Sequence, residues 1–303
     1  MPSAGPVDRK SAGATEYPKG SFAQRRPVAL FVVLALGIGW VVLSVPAVAG
    51  IPFAPFLLAL VFLGLLAPAL VVSRMADGPG AIRRLLSRAV IWRFSIVRWA
   101  IVVFGVPVLT LVVAAATGTL QTPEGGWTDL VTTYLVETFV TGLLIISLWE
   151  EMAWAGFAQT RLMASRGLLV GSLLTALAFA AVHIPLQFEG DWTWADVAVG
   201  LAALIALSPF ARYLIGMHLL DTRGSVLAAG VQHASWNAAQ KLDAVEGGDW
   251  QMLGAVILLT LLLAVGRRIW RPEAHSTGAD EEKAAASEWT ALHRAEAQSD
   301  RSH

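Results

Sequence analysis

Two adjacent carboxylates, two histidines and a carboxamide lie inside apolar stretches of this chain: Glu150 and Glu151, His183, His233 and Asn237. An ionisable group at the centre of a membrane-spanning helix costs ~2.5–3.5 kcal/mol, so a set of them at one depth needs a use. These residue types suit hydrolysis by an activated water. A carboxylate removes the proton, an imidazole orients the water, and N–H donors steady the oxyanion that forms. The sequence contains no cysteine, which removes thiol nucleophiles, thiolate metal sites and disulfides together.

The apolar setting follows from composition. Of the 303 residues, 56% are hydrophobic and only 15% charged, and mean hydropathy is +0.62. That is the profile of an all-α, polytopic membrane helical bundle. Eight stretches are long and apolar enough to cross ~30 Å of hydrocarbon. They lie near 28–48, 53–73, 99–117, 130–161, 168–188, 195–220, 224–242 and 250–266. An even number puts both termini on one side. Twenty of the 22 Lys and Arg residues fall in the segments assigned to that side, which the positive-inside rule makes cytoplasmic.

The domain reading has three parts: a tail at 1–27, a transmembrane bundle at 28–268, and a mobile tail at 269–303. Within the bundle, the connector 75–98 alternates apolar residues with Arg83, Arg84, Arg88, Arg93 and Arg98, as an interfacial helix attracted to anionic headgroups does. A solvated connector obeying the positive-inside rule would read the same way.

Helical rise tests whether the polar residues can meet. Counting at ~1.5 Å per residue from the cytoplasmic anchors Arg161, Leu168 and Arg223, Glu150 lies ~16 Å deep, His183 ~22 Å, His233 ~15 Å and Asn237 ~21 Å. Three helices therefore bring them to a similar level. His233 and Asn237 are four residues apart and share a helix face, as do Phe179 and His183. Glu150 and Glu151 diverge by ~100° around a helix axis, so one is expected to act while the other is held by a separate partner.

The three patterns, Glu150-Glu151 with Gly156, Phe179 to His183, and His233 to Asn237, resemble the CAAX protease and bacteriocin-processing membrane proteins, also called the Abi family, which includes the type II CAAX prenyl endopeptidases. The resemblance covers roughly residues 130–240. It implies peptide-bond hydrolysis within the membrane, with Glu150 as general base and His183 orienting the same water. His233 and Asn237 would stabilise the oxyanion, and Glu151 would support them. The family pattern carries an arginine four residues after the second glutamate, where this chain has Ala155. Arg212, at ~16 Å depth by the same count, is a candidate replacement, although it could equally snorkel toward the cytoplasmic face.

Cofactor expectations stay open between none and zinc. His183, His233 and Glu150 form a conceivable zinc set with an open position for water. Against that, the chain has no His-Glu-x-x-His pair, and Asn237 is a good oxyanion donor but a poor zinc ligand. The expected partners are the lipid bilayer and a membrane-embedded or lipidated protein or peptide substrate, with no nucleic acid, and the expected location is the cell membrane. Two alternatives remain: an ion- or proton-coupled transporter, which buried Glu and His would also serve, and a protease-like scaffold made inactive by Ala155. Taken singly, each of these residues has a structural use in helix–helix hydrogen bonding, and only their combination turns the balance toward chemistry.

Overall fold

The computed structural model describes residues 21–270, and the expectations for 1–20 and 271–303 lie outside them. Among the described residues the fold is all-α, with a single isolated bridge between Leu120 and Val245. After a short helix, Phe22–Arg25, eight helices follow: α1 Pro27–Ala49, α2 Ala54–Asp77, α3 Ala81–Ser87, α4 Ile96–Thr117, α5 Gly126–Phe188, α6 Trp194–Asp221, α7 Val226–Ala239 and α8 Asp249–Trp270.

Six of these, α1, α2, α4, α5, α6 and α8, are long and apolar enough to cross a membrane. The count differs from eight for two physical reasons. The fourth and fifth predicted spans form one 63-residue helix, α5, which breaks at Gly167 with φ 77° and ψ 172°. Only glycine takes that backbone conformation without a steric cost, so Gly167 divides α5 into two arms, 126–166 and 168–188. The arms then pack closely: a Cβ on Gly171 would lie 2.6 Å from the backbone nitrogen of Met163. The seventh predicted span becomes α7, which has 14 residues and is therefore ~21 Å long, short of a full crossing.

α7 has neighbours on every side. It packs on the first arm of α5, on α4 and on α6, and twelve of its 14 residues are buried. Two small residues four apart, Gly230 and Ala234, make the crossing with α5 close. A Cβ on Gly230 would meet the Cα of Leu148 at 3.1 Å, and the Cβ of Ala234 lies 2.9 Å from where a Cβ on Gly142 would stand. Small residues at i and i+4 let helix backbones approach in just this way. His233 therefore sits between two points of backbone contact.

The connector between α2 and α4 differs from the interfacial helix expected over 75–98. Its helical part, α3, is seven residues long and gives way to a 3₁₀ turn at Arg88–Val90. Arg88 is buried rather than turned to headgroups. It donates to the carbonyl of Gly156 at 2.7 Å, to the carbonyl of Gly224 at 3.0 Å and to Thr160 Oγ1 at 3.4 Å. A guanidinium spreads five donors over a rigid plane, and buried carbonyls left by helix irregularities and turns need donors. Arg88 thus ties the glutamate-bearing arm to the loop that starts α7. Ser225 completes that start: its hydroxyl accepts from the backbone N–H of Ala228 at 3.0 Å as an N-cap and lies 2.6 Å from the Ile91 carbonyl, to which it donates.

Candidate active site

Glu150 and Glu151 occupy a single α-helical turn, Leu148–Glu151, set between two π-helical segments, Glu137–Ser147 and Met152–Gln159. π-helical turns are rare and are frequent at functional sites. Both carboxylates are buried, and they go to different partners, as their angular divergence requires.

Glu150 faces the second arm of α5. Its Oε1 lies 3.5 Å from His183 Nε2. The other ring nitrogen of His183, Nδ1, is 2.7 Å from the Phe179 carbonyl one turn back. A carbonyl only accepts, so Nδ1 carries hydrogen and directs Nε2 at Glu150. A bare imidazole nitrogen and a carboxylate oxygen attract only when a proton lies between them. The pair is accordingly arranged to hold a proton and pass it on. The Phe179 ring stacks beside that imidazole with centroids 4.3 Å apart and reaches the ring of His233 at 6.1 Å. Trp154, fully buried, closes the far side of Phe179 at 5.8 Å. Packing on three sides fixes Phe179, and through its carbonyl it fixes His183.

Glu151 faces α6 and α7. Arg212 Nη1 donates to both of its carboxylate oxygens, at 2.7 and 3.0 Å, and His233 Nδ1 lies 2.8 Å from Oε1. Neither Arg212 nor Glu151 is exposed at all. An ionised carboxylate is acceptor-only, so Nδ1 of His233 is the donor and Nε2 is its remaining functional nitrogen. Trp236 packs on the same imidazole with centroids 4.7 Å apart. Asn237, one turn beyond His233, is half-buried, and its carboxamide has no hydrogen-bond partner among the described residues.

The cation that the motif lacks at position 155 is thus supplied from another helix. Ala155 is fully buried, and Arg212 reaches Glu151 from α6 instead of snorkelling out. Its guanidinium is held on a second side by Gln159, whose Oε1 accepts from Nε at 3.0 Å and Nη2 at 2.6 Å. Gln159 in turn donates to the Arg212 carbonyl at 2.6 Å and to Ser172 Oγ on the second arm at 3.1 Å. Sequence reasoning missed Gln159, Ser172 and the inward turn of Arg88. The available signal for Gln159 was its position: an uncharged polar residue eight residues past Glu151, about two helical turns along the same apolar stretch.

Charge within the site nearly balances. Two carboxylates face one guanidinium, and one proton on either imidazole brings the sum to zero, the least costly state for a buried cluster. Among the described residues no three His, Asp or Glu side chains form a group that could hold a metal ion. Glu150 is paired with His183 and His233 with Glu151 instead.

These features define a class: a multi-pass helical membrane protein with two buried carboxylate–imidazole pairs on neighbouring helices. Residues 132–239 match the family model described as type II CAAX prenyl endopeptidase Rce1-like. That core, which carries all five candidate residues, is similar to the type II CAAX prenyl endopeptidases. No curated protein matches the chain.

Proposed function

We propose that the protein is an intramembrane endopeptidase that hydrolyses a peptide bond of a membrane-associated protein or peptide by glutamate-activated water. The observation that carries this reading is the pairing of Glu150 with His183 next to the pairing of Glu151 with His233, all inside the family-matched core. In the step this supports, Glu150 takes a proton from a water whose oxygen bonds to the scissile carbonyl carbon. The carbonyl π electrons move to oxygen, and N–H donors meet the resulting oxyanion: the Asn237 carboxamide and, when His233 is protonated, its Nε2–H. The carbonyl then re-forms as the C–N bond breaks, the amine nitrogen takes the proton that Glu150 removed from the water, and the new carboxylic acid passes its remaining proton to Glu150, leaving a carboxylate and an amine.

This reading also bears on the inactive-scaffold alternative, whose motive was Ala155. Glu151 has its cation from α6. Binding of a lipidated or membrane-embedded substrate accords with the apolar helices around the site and with the matched family.

The test is cleavage of a panel of quenched-fluorescent peptides by purified protein reconstituted in vesicles, with and without a strong zinc chelator. The wild type is expected to cleave, and Glu150→Gln to lose about 10²–10⁴-fold in rate, the range for removal of a general base. Equal cleavage by the two proteins would sink the mechanism. Ion flux across the same vesicles, abolished by the mutation, would favour the transporter instead.

A further inference from the structure

Arg212 connects parts of the molecule that the reaction does not use directly. It belongs to α6, contacts no residue assigned to substrate, and yet makes the two charge-assisted bonds that fix Glu151. Its other donors go to Gln159 on the first arm of α5, which is bonded to the second arm through Ser172 and to the Arg212 main chain. The guanidinium plane therefore has little freedom to turn, and its Cζ lies 5.4 Å from the centroid of the Phe179 ring, where a cation–π contact adds to its hold. The same Phe179 lends its carbonyl to His183. Arg212 thus sits where both histidine arrangements meet.

We propose that Arg212 is a positioning residue: its charge, delivered from α6, keeps Glu151 an acceptor, so that His233 is held with Nδ1–H toward Glu151 and Nε2 toward the substrate side. A cation at position 155, one turn beyond Glu151 on its own helix, would do the same work. The role assigned to His233 in hydrolysis rests on the proposed function, but the effect of Arg212 on the imidazole does not. Without the guanidinium, Glu151 is a fully buried carboxylate with only His233 for company. It then either takes a proton and donates to Nδ1, which moves the ring hydrogen to Nε2, or leaves the ring carrying both hydrogens. Either outcome differs from the arrangement in the intact protein.

The experiment is nitrogen NMR of protein labelled with ¹⁵N-histidine and reconstituted in lipid nanodiscs, with His233 assigned by the signals lost in His233→Asn. Wild type is expected to show Nδ1 protonated and Nε2 bare. Arg212→Gln is expected to lose that pattern, and the exchange variant A155R/R212Q to recover it. In parallel, cleavage of the quenched-fluorescent peptides by Arg212→Gln should show kcat reduced about a hundredfold with KM little changed, because a ring no longer fixed through Nδ1–H on Glu151 carries its Nε2 donor ~1 Å out of place, whatever hydrogens it holds. An unchanged pattern in Arg212→Gln would overturn the proposal, as would an exchange variant that folds with wild-type thermal stability and still lacks the pattern. Should Arg212→Gln fail to fold, the exchange variant alone decides between these outcomes. If no peptide is cleaved by wild type, the hydrolytic reading fails while the NMR result still settles the role of Arg212.

Discussion

α1 and α7 are both apolar helices, and the difference between them shows how the bundle divides its work. α1 has 23 residues, of which Phe31, Ala35, Gly39, Leu43 and Pro46 are buried. Their spacing of three and four makes one narrow stripe, and Val33, Val41, Val45 and Val48 point away from the bundle. α7 has 14 residues and almost no outward face. A helix that borders lipid needs only apolar bulk on most of its surface, because lipid has no shape to match. A helix enclosed by protein on every side must match its neighbours atom by atom. The catalytic candidates His233 and Asn237 lie on the enclosed helix, whereas α1 contributes cover.

Four substitutions sharpen this contrast, in decreasing order of effect. Glu151→Leu leaves the Arg212 guanidinium buried without its carboxylate. It should destabilise the protein by about 3–5 kcal/mol, the cost of breaking a buried pair from one side, read from reversible unfolding in mixed micelles. Gly230→Leu places a side chain against the backbone at Leu148 and should cost about 1–3 kcal/mol by the same measurement. Gly39→Ala is the corresponding change on α1. Its new Cβ would stand 2.8 Å from Leu60 Cδ1, the free end of a flexible side chain, and 2.9 Å from Val182 Cγ2 on a stiffer one, so side chains rather than backbone must give. A loss below about 1 kcal/mol is expected there, well under that of Gly230→Leu. Val45→Leu on the outer face of α1 should stay within about 0.5 kcal/mol of wild type. If Val45→Leu proved as damaging as Gly230→Leu, α1 would have to be packed against something on its outer face, and the contrast with α7 would fall.

The same contrast explains what could be read from the amino acids alone. Apolar length located every helix that carries the site, and helical rise brought Glu150, His183 and His233 to one level, where the structure pairs Glu150 with His183 and Glu151 with His233. The missing arginine after Glu151 pointed to Arg212, and Arg212 is where the carboxylate finds its cation. Hydropathy reports transfer out of water and does not distinguish lipid from protein as the destination. For that reason it assigned a full span to 224–242, where the helix ends at Ala239 inside the bundle. The break at Gly167 was hidden because glycine is common in membrane helices that continue unbroken. Arg88 was misplaced for a similar reason. An arginine-rich connector satisfies the positive-inside rule whichever way each guanidinium turns, and only packing decides which one turns inward.

Arg212 also constrains how the protein is made. An arginine at mid-membrane depth costs ~2.5–3.5 kcal/mol to insert, and α6 carries it without a carboxylate of its own nearby. Its partners Glu151 and Gln159 precede it in the chain, so during synthesis they reach the membrane first. The insertion of α6 is thereby coupled to the prior arrival of α5. A truncation ending just after α6 should integrate stably, and the same truncation carrying Glu151→Leu should leave α6 lagging at the membrane surface.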